Sequence, residues 1–305
     1  MNAEGSTTEP LHQPVLPTEV LHALAPAAGE TFVDATVGAG GHSRLLAERL
    51  GPTGRLIALD QDPAMLALAR RRMQSYPITF VHANFDALPQ VLNELDITLV
   101  DGVLADLGVC SDQIAVAERG FSFQQTGPLD MRMDPKQGEP AAALLRRLGE
   151  RDLADLFWKY GEERFSRRIA RKIVETRRRS PLENTEQLAD LVAHCVPRPR
   201  GHRHPIHPAT RVFQALRIAV NDELGALDRL LESLPHVVRP GGRAAIISFH
   251  SLEDRRVKLA FRDRRFWEQS TRKPVRPGQE EVRNNPRARS AKLRAARRLP
   301  PRREA

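Results

Sequence analysis

Three acidic or basic residues in this chain each close an apolar run, and one glycine turn accompanies them: Asp60 after Leu56–Leu59, Asp106 after Ile97–Ala105, and His250 after Arg243–Phe249. The turn reads Asp34-Ala35-Thr36-Val37-Gly38-Ala39-Gly40-Gly41-His42 and feeds a helical stretch, Ser43–Leu50. A strand running through glycines into a helix start presents backbone N–H groups with no side chains in the way, where small polar or anionic ligands bind. An acid about twenty positions after such a turn sits at the end of strand two in doubly wound sheets and accepts hydrogen bonds from ribose hydroxyls. Asp60 holds that place. The chemistry on offer is the grip of a ribose-bearing ligand by strand-end carboxylates.

Which ligand follows from what is missing. The glycine pattern is G-x-G-G, with Ser43 where a dinucleotide fingerprint has its third glycine, which disfavours an NAD-linked oxidoreductase. No G-x-x-x-x-G-K-[ST] occurs, so a P-loop nucleotidase is excluded. A ribose ligand without pyrophosphate fits better, and S-adenosylmethionine is the commonest on this topology. Cys110 lies near Asp106, but Val109 stands where a cytosine-C5 nucleophile motif has proline. Cys110 and Cys195 make neither a disulfide framework nor a metal set. His202, His204 and His207 lie between prolines without a nearby carboxylate, a poor metal site, and no metal is expected.

The elements that must position these residues alternate. Strands are expected at Thr31–Ala35, Arg55–Asp60, Ile78–His82 and Ile97–Ala105, with helices at Ser43–Leu50, Pro63–Gln74 and 86–95 between them. The fold class is therefore α/β, a doubly wound, mostly parallel sheet whose ligands sit outside the strands' carboxyl ends. Cys110–Pro140 breaks the rhythm; its methionine and aromatic anchors read as a lid packed over the pocket. Pro140–Pro197 is helical, with Phe165, Ile169 and Ile173 as an inward stripe and eight basic residues from Arg164 to Arg179. One long helix is expected over Arg211–Leu234, and Ser251 reads as the cap of the helix after His250. Residues 1–110 and 211–305 thus form one domain and 111–210 an inserted one. Beyond Arg265 disorder is the default, although Lys273–Arg276 and Ser290–Arg298 are spaced as two sheet-edge strands could be.

Lysine and arginine total 47 against 38 acids, a net of +9, and Arg262–Ala305 alone carries +10. A basic tail on a nearly neutral body suggests a polyanionic partner. With no membrane-length apolar run and no signal-like start, a soluble, cytoplasmic protein is expected.

Several stretches together carry a resemblance. They are His12-Gln13-Pro14-Val15-Leu16, Asp34–Ser43, Leu59-Asp60-Gln61-Asp62, Ala105–Val109, Glu118–Phe123, Gly127–Asp134, His207–Arg217, Ser248–Asp254 and Asn285–Ser290. In that order, across nearly the whole chain, they resemble the ribosomal RNA small-subunit methyltransferase H (MraW) family. The resemblance implies a class I S-adenosylmethionine methyltransferase fold with an inserted helical domain, and a tail folded into the last strands. It implies N4-methylation of a cytidine in the decoding region of small-subunit rRNA, with that RNA or the small subunit as partner, no membrane, and self-association as a homodimer left open. Cofactor contacts carry over to Gly40, Gly41, His42, Asp60, Phe85, Asp106 and Gln113. Many amino methyltransferases place an Asp/Asn/Ser-Pro-Pro-aromatic motif at the end of strand four; here that place reads Asp106-Leu107-Gly108-Val109. Asp106 is the expected hydrogen-bond acceptor on the target amine, or only a cofactor ligand; His250 is second for the departing proton. Phe121 or Phe123 would supply the missing aromatic by stacking on a flipped cytosine. The alternative from another class is a non-catalytic RNA-binding ribosome-assembly factor on the same fold.

Overall fold

The computed structural model describes residues 13–197 and 207–301; His12, His202, His204 and residues 302–305 lie outside them. The chain divides into two compact units, one of Met1–Asp60, Ala64–Leu107 and Leu230–Ala305, the other of Gln61–Pro63 and Gly108–Arg229.

The first unit begins with α1 (Pro17–Leu24), β1 (Thr31–Asp34), α2 (Gly41–Leu50), β2 (Arg55–Asp60), α3 (Pro63–Arg72), β3 (Ile78–His82), α4 (Leu88–Glu94) and β4 (Val100–Asp106). Leu56 to Leu59 and Val103 to Ala105 are almost fully buried, as strands covered on both faces must be. Pro63 opens α3, where its missing N–H costs nothing.

The second unit follows the chain into α5 (Ser111–Ala115) and then an irregular run pinned from within. Arg119 Nη2 donates to the carbonyls of Arg132 (3.0 Å) and Met133 (2.8 Å), while Nη1 pairs with the buried Asp62 at 2.8 Å. The remaining helices are α6 (Ala141–Arg147), α7 (Glu150–Gly161), α8 (Ser166–Arg177), α9 (Thr185–Cys195) and α10 (Ala209–Val220). Leu129, Met131, Phe157, Ile169, Ile173, Leu188, Val212, Phe213 and Leu216 form their core. The expected stripe holds at Ile169 and Ile173 but not at Phe165, which precedes α8 and stays 37% exposed. Arg177 leaves the basic run: it donates to the carbonyls of Leu145 and Leu148, closing the end of α6.

The long helix expected over 211–234 is two helices. Asn221 ends α10, and Asp222 takes a left-handed φ of 48° before α11 (Glu223–Val237). The break has a cause, because Asn221 Oδ1 accepts from Met133 N and its Nδ2 donates to Met131 O, both at 2.8 Å. One consequence is that α10 packs into the core of the second unit, whereas the sequence reading counts residues from 211 onward with the sheet domain.

The first unit resumes with β5 (Val238–Ser248), α12 (Ser251–Ala260), β6 (Trp267–Gln269), α13 (Gln279–Asn284) and β7 (Lys292–Arg298). All its strands join one seven-stranded sheet in the order β3-β2-β1-β4-β5-β7-β6. Pairings from β3 through β5 are parallel, and β7 is antiparallel to both β5 and β6. The expected doubly wound, mostly parallel sheet is therefore present. Disorder is not what the tail adopts: Trp267, Leu293 and Ala295 are buried, and Arg294 Nε donates to Asp254 Oδ1 at 2.7 Å. The first edge strand is Trp267–Gln269, although Val275 also bridges to Leu293. Among the described residues no helix is long and apolar enough to cross a membrane.

Candidate functional site

Strand order reverses between β1 and β4, so in this sheet the ligand crevice opens at their carboxyl ends. Asp34 ends β1 and Asp106 ends β4. Asp34 is 1% exposed; Ser43 Oγ donates to its Oδ2 at 2.6 Å, and Thr36 N donates to its Oδ1 at 3.2 Å. Burial pushes this carboxyl up to about 6 against the pull of those two hydrogen bonds. Thr36 Oγ1 in turn accepts from Asp106 N at 2.6 Å, so strand ends one and four are cross-tied. Sequence reasoning saw Ser43 only as an absent glycine and gave Thr36 no part. The signal was there in Asp-x-Thr, the spacing at which an aspartate side chain accepts from the backbone two residues on.

The glycine turn is built for close backbone approach. Gly40 caps α2 with φ of 91°, a conformation L side chains rarely adopt, and a Cβ there would sit 3.0 Å from the Met73 side chain. A Cβ on Gly41 would lie 3.2 Å from Pro14, which gives the N-terminal motif its structural reason. Gly38 N donates to Asp60 Oδ2 at 2.8 Å, tying the end of β2 to the turn.

Asp106 faces this arrangement as a carboxyl in acidic company. Its Oδ2 lies 3.8 Å from Nε2 of the buried His42, and its Oδ1 is buried with no hydrogen-bond partner among the described residues. Burial, then Asp34, then Glu253 hold its carboxyl well above the usual carboxylate range. Such a group resists ionising until positive charge arrives.

His250, not Ser251, caps α12. Its Nδ1 accepts from Glu253 N at 3.4 Å, and Glu253 Oε2 accepts from Phe249 N at 2.8 Å and His250 N at 3.3 Å, a capping box shifted one residue earlier than expected. A neutral ring that accepts at Nδ1 carries its proton on Nε2, which stands 3.1 Å from Glu253 Oε1.

The first unit thus brings Gly40, Gly41, His42, Asp60, Asp106 and His250 to the carboxyl edge of its sheet. Phe85 opens the turn after β3 and is partly exposed. Gln113 belongs to the second unit, where its Oε1 accepts from Cys110 N (2.9 Å) and its Nε2 donates to Asp62 Oδ2 (2.7 Å). Phe121 and Phe123 pack on the core of that same unit. Phe123 lies 4.6 Å from the His207 ring and 4.9 Å from Phe213, and Arg119 sits over Phe121 at 5.4 Å. Of the basic run, Arg171 pairs with Glu150 at 3.4 Å and Lys172 with Glu175 at 3.5 Å, while Arg164, Arg167, Arg168, Arg178 and Arg179 are exposed.

A family model described as the MraW methylase family matches residues 9–299. A protein of Thioalkalivibrio sulfidiphilus named ribosomal RNA small subunit methyltransferase H is 51% identical over 310 residues, covering 95% of this chain and 98% of that one. Proteins of the same name from Rhodopirellula baltica and Geobacter sulfurreducens are 47% and 48% identical; they cover 98% and 94% of this chain, and 94% and 99% of their own.

Proposed function

The chain belongs to the MraW methylase family, and from that premise we propose that it methylates the exocyclic N4 amine of a cytidine in the decoding region of small-subunit rRNA. The carrying observation is Asp106, a strand-end carboxyl at the sheet's reversal point with a buried oxygen that has no hydrogen-bond partner among the described residues. The residues fit S-adenosylmethionine: Asp34, Asp60, Asp106 and Glu253 make an acidic site suited to a cationic, ribose-bearing ligand, and the Gly40-Gly41 turn lets it approach the backbone. Bound there, S-adenosylmethionine supplies an electrophilic methyl group.

The chain's own residues do the rest. Asp60 accepts from ribose hydroxyls while Gly38 N fixes its orientation. Gly40, Gly41, His42, Phe85 and Gln113 complete the cofactor contacts that the resemblance implies. Asp106 Oδ1 accepts a hydrogen bond from the target amine, which re-localises nitrogen electron density otherwise drawn into the ring. A cationic ligand lowers the cost of ionising Asp106, and a carboxylate of raised proton affinity is well matched to take the proton the methylated nitrogen sheds. His250 stands second for that proton, since its Nδ1 already serves the helix and its main effect is to hold Glu253. Much of the acceleration is positioning. The second unit, with its exposed arginines on α8, offers RNA phosphates a cationic surface.

Mass mapping of methylated nucleosides in small-subunit rRNA, from cells with and without the gene, tests this reading. One N4-methylated cytidine should disappear with the gene and return with the wild-type copy. An unchanged map would refute the assignment.

A further inference from the structure

A groove of about 480 Å³ lies beside β6, the last strand of the sheet, and the chemistry above makes no use of it. Phe261 and Trp267 form its floor, both almost fully buried, with ring centroids 5.4 Å apart. Arg262, Arg264 and Arg272 line it, all exposed and without an ion pair among the described residues; Glu268 is the acid on its wall. Neighbouring arginines behave differently. Arg265 pairs with Asp263 at 2.6 Å, Arg297 donates to Gly241 O at 3.3 Å, and Arg298 donates to Pro235 O at 2.9 Å. Other arginines of this stretch also lack an ion pair among the described residues, but here three exposed cations gather around one hollow whose wall carries a single acid. Edge arginines also discourage strand pairing between molecules, but that role needs no concave surface.

Position in the sheet narrows the occupant. β6 is three strand spacings from β4, about 14 Å at ~4.8 Å each, and its Glu268 lies level with Arg243, towards the amino end of β5 and well short of the Ile247 that pairs with Asp106, so one nucleotide reacting at Asp106 does not reach it. A polyanion does. We propose that the β6 groove binds the phosphodiester backbone of the RNA substrate away from the methylated base, fixing the register in which that base is offered. The proposal rests on RNA being the substrate. Phosphate contacts position an RNA without reading its sequence, which suits a site serving one fixed target.

The test is the affinity of full-length protein for a fluorescent small-subunit rRNA fragment across a salt series, with S-adenosylmethionine titration as the check of fold. Arg262→Gln/Arg264→Gln/Arg272→Gln should bind the RNA at least about tenfold more weakly, with a log–log salt slope shallower by about two to three. A control with equal charge loss elsewhere on the same unit, Arg49→Gln/Arg55→Gln/Arg71→Gln, should keep the wild-type slope and affinity. Equal losses in both variants would reduce the effect to net charge and overturn the proposal. So would an unchanged groove variant, which would hand the surface to a protein partner or to none. Wild-type protein that binds no RNA at any salt would instead overturn the substrate assignment, and this site with it.

Discussion

Ser43 Oγ donates a 2.6 Å hydrogen bond to Oδ2 of Asp34, joining the first turn of α2 to the end of β1 beneath the proposed cofactor turn. The bond explains a glycine pattern that stops one short: the third position holds a donor because a buried carboxylate needs one. Ser43→Ala should cost about 1–3 kcal/mol, the penalty of a buried acceptor left short of a partner, read as a lower denaturant midpoint at unchanged m.

The same carboxylate gives a pH signature. Its folded value near 6 exceeds the ordinary 3.8, so between those values the folded state binds more protons than the unfolded one. Asp34 therefore contributes a stability that is present below about pH 4 and lost as pH rises through 6, about 3 kcal/mol in all at ~1.4 kcal/mol per unit. Asp34→Asn should remove this term. Subtracting its stability curve from that of wild type between pH 4 and 7 should leave a falling difference; a flat one would mean Asp34 is ionised throughout.

For His250 the cap and the proton are separable. His250→Ala should lose about 1 kcal/mol with the cap, whereas His250→Asn retains an N-cap acceptor and should keep both stability and most of the turnover. A large rate loss in the Asn variant at full stability would move the proton from Asp106 to the imidazole.

Cys110 precedes α5, where serine is the better N-cap. Cys110→Ser should leave methylation within about twofold and stability equal or higher. A stalled covalent adduct that forms with wild type and not with the variant would revive a cysteine-nucleophile route.

Much of this was legible in the residues. Leu56–Leu59 is an uninterrupted apolar run that only a doubly covered strand explains, and Asp60 at its end follows from the same pattern. Gly40 announces itself because its left-handed φ suits no other residue well. Elsewhere the signal was local and the cause was not. The 3.6-residue period runs unbroken through 211–234, and what breaks the helix is Asn221 reaching Met131 and Met133, some ninety positions away in the chain. Ser251-x-x-Asp254 and His250-x-x-Glu253 are equivalent as patterns, and only the end of β5 at Ser248 decides between them. Arg294 looks like solvated tail until Asp254, forty residues earlier, is seen to accept from it.

Asp106→Asn tests the proposed chemistry most directly, in paired measurements of S-adenosylmethionine affinity by titration calorimetry and of single-turnover methylation of the small subunit. Because the amide keeps the shape and removes the proton acceptor, the assignment predicts affinity within a few-fold of wild type and a rate lower by about a hundredfold or more. Full turnover at full affinity would contradict it and leave Asp106 as a cofactor ligand alone. No cofactor binding by wild type would contradict the methyltransferase reading itself, in favour of a non-catalytic assembly factor.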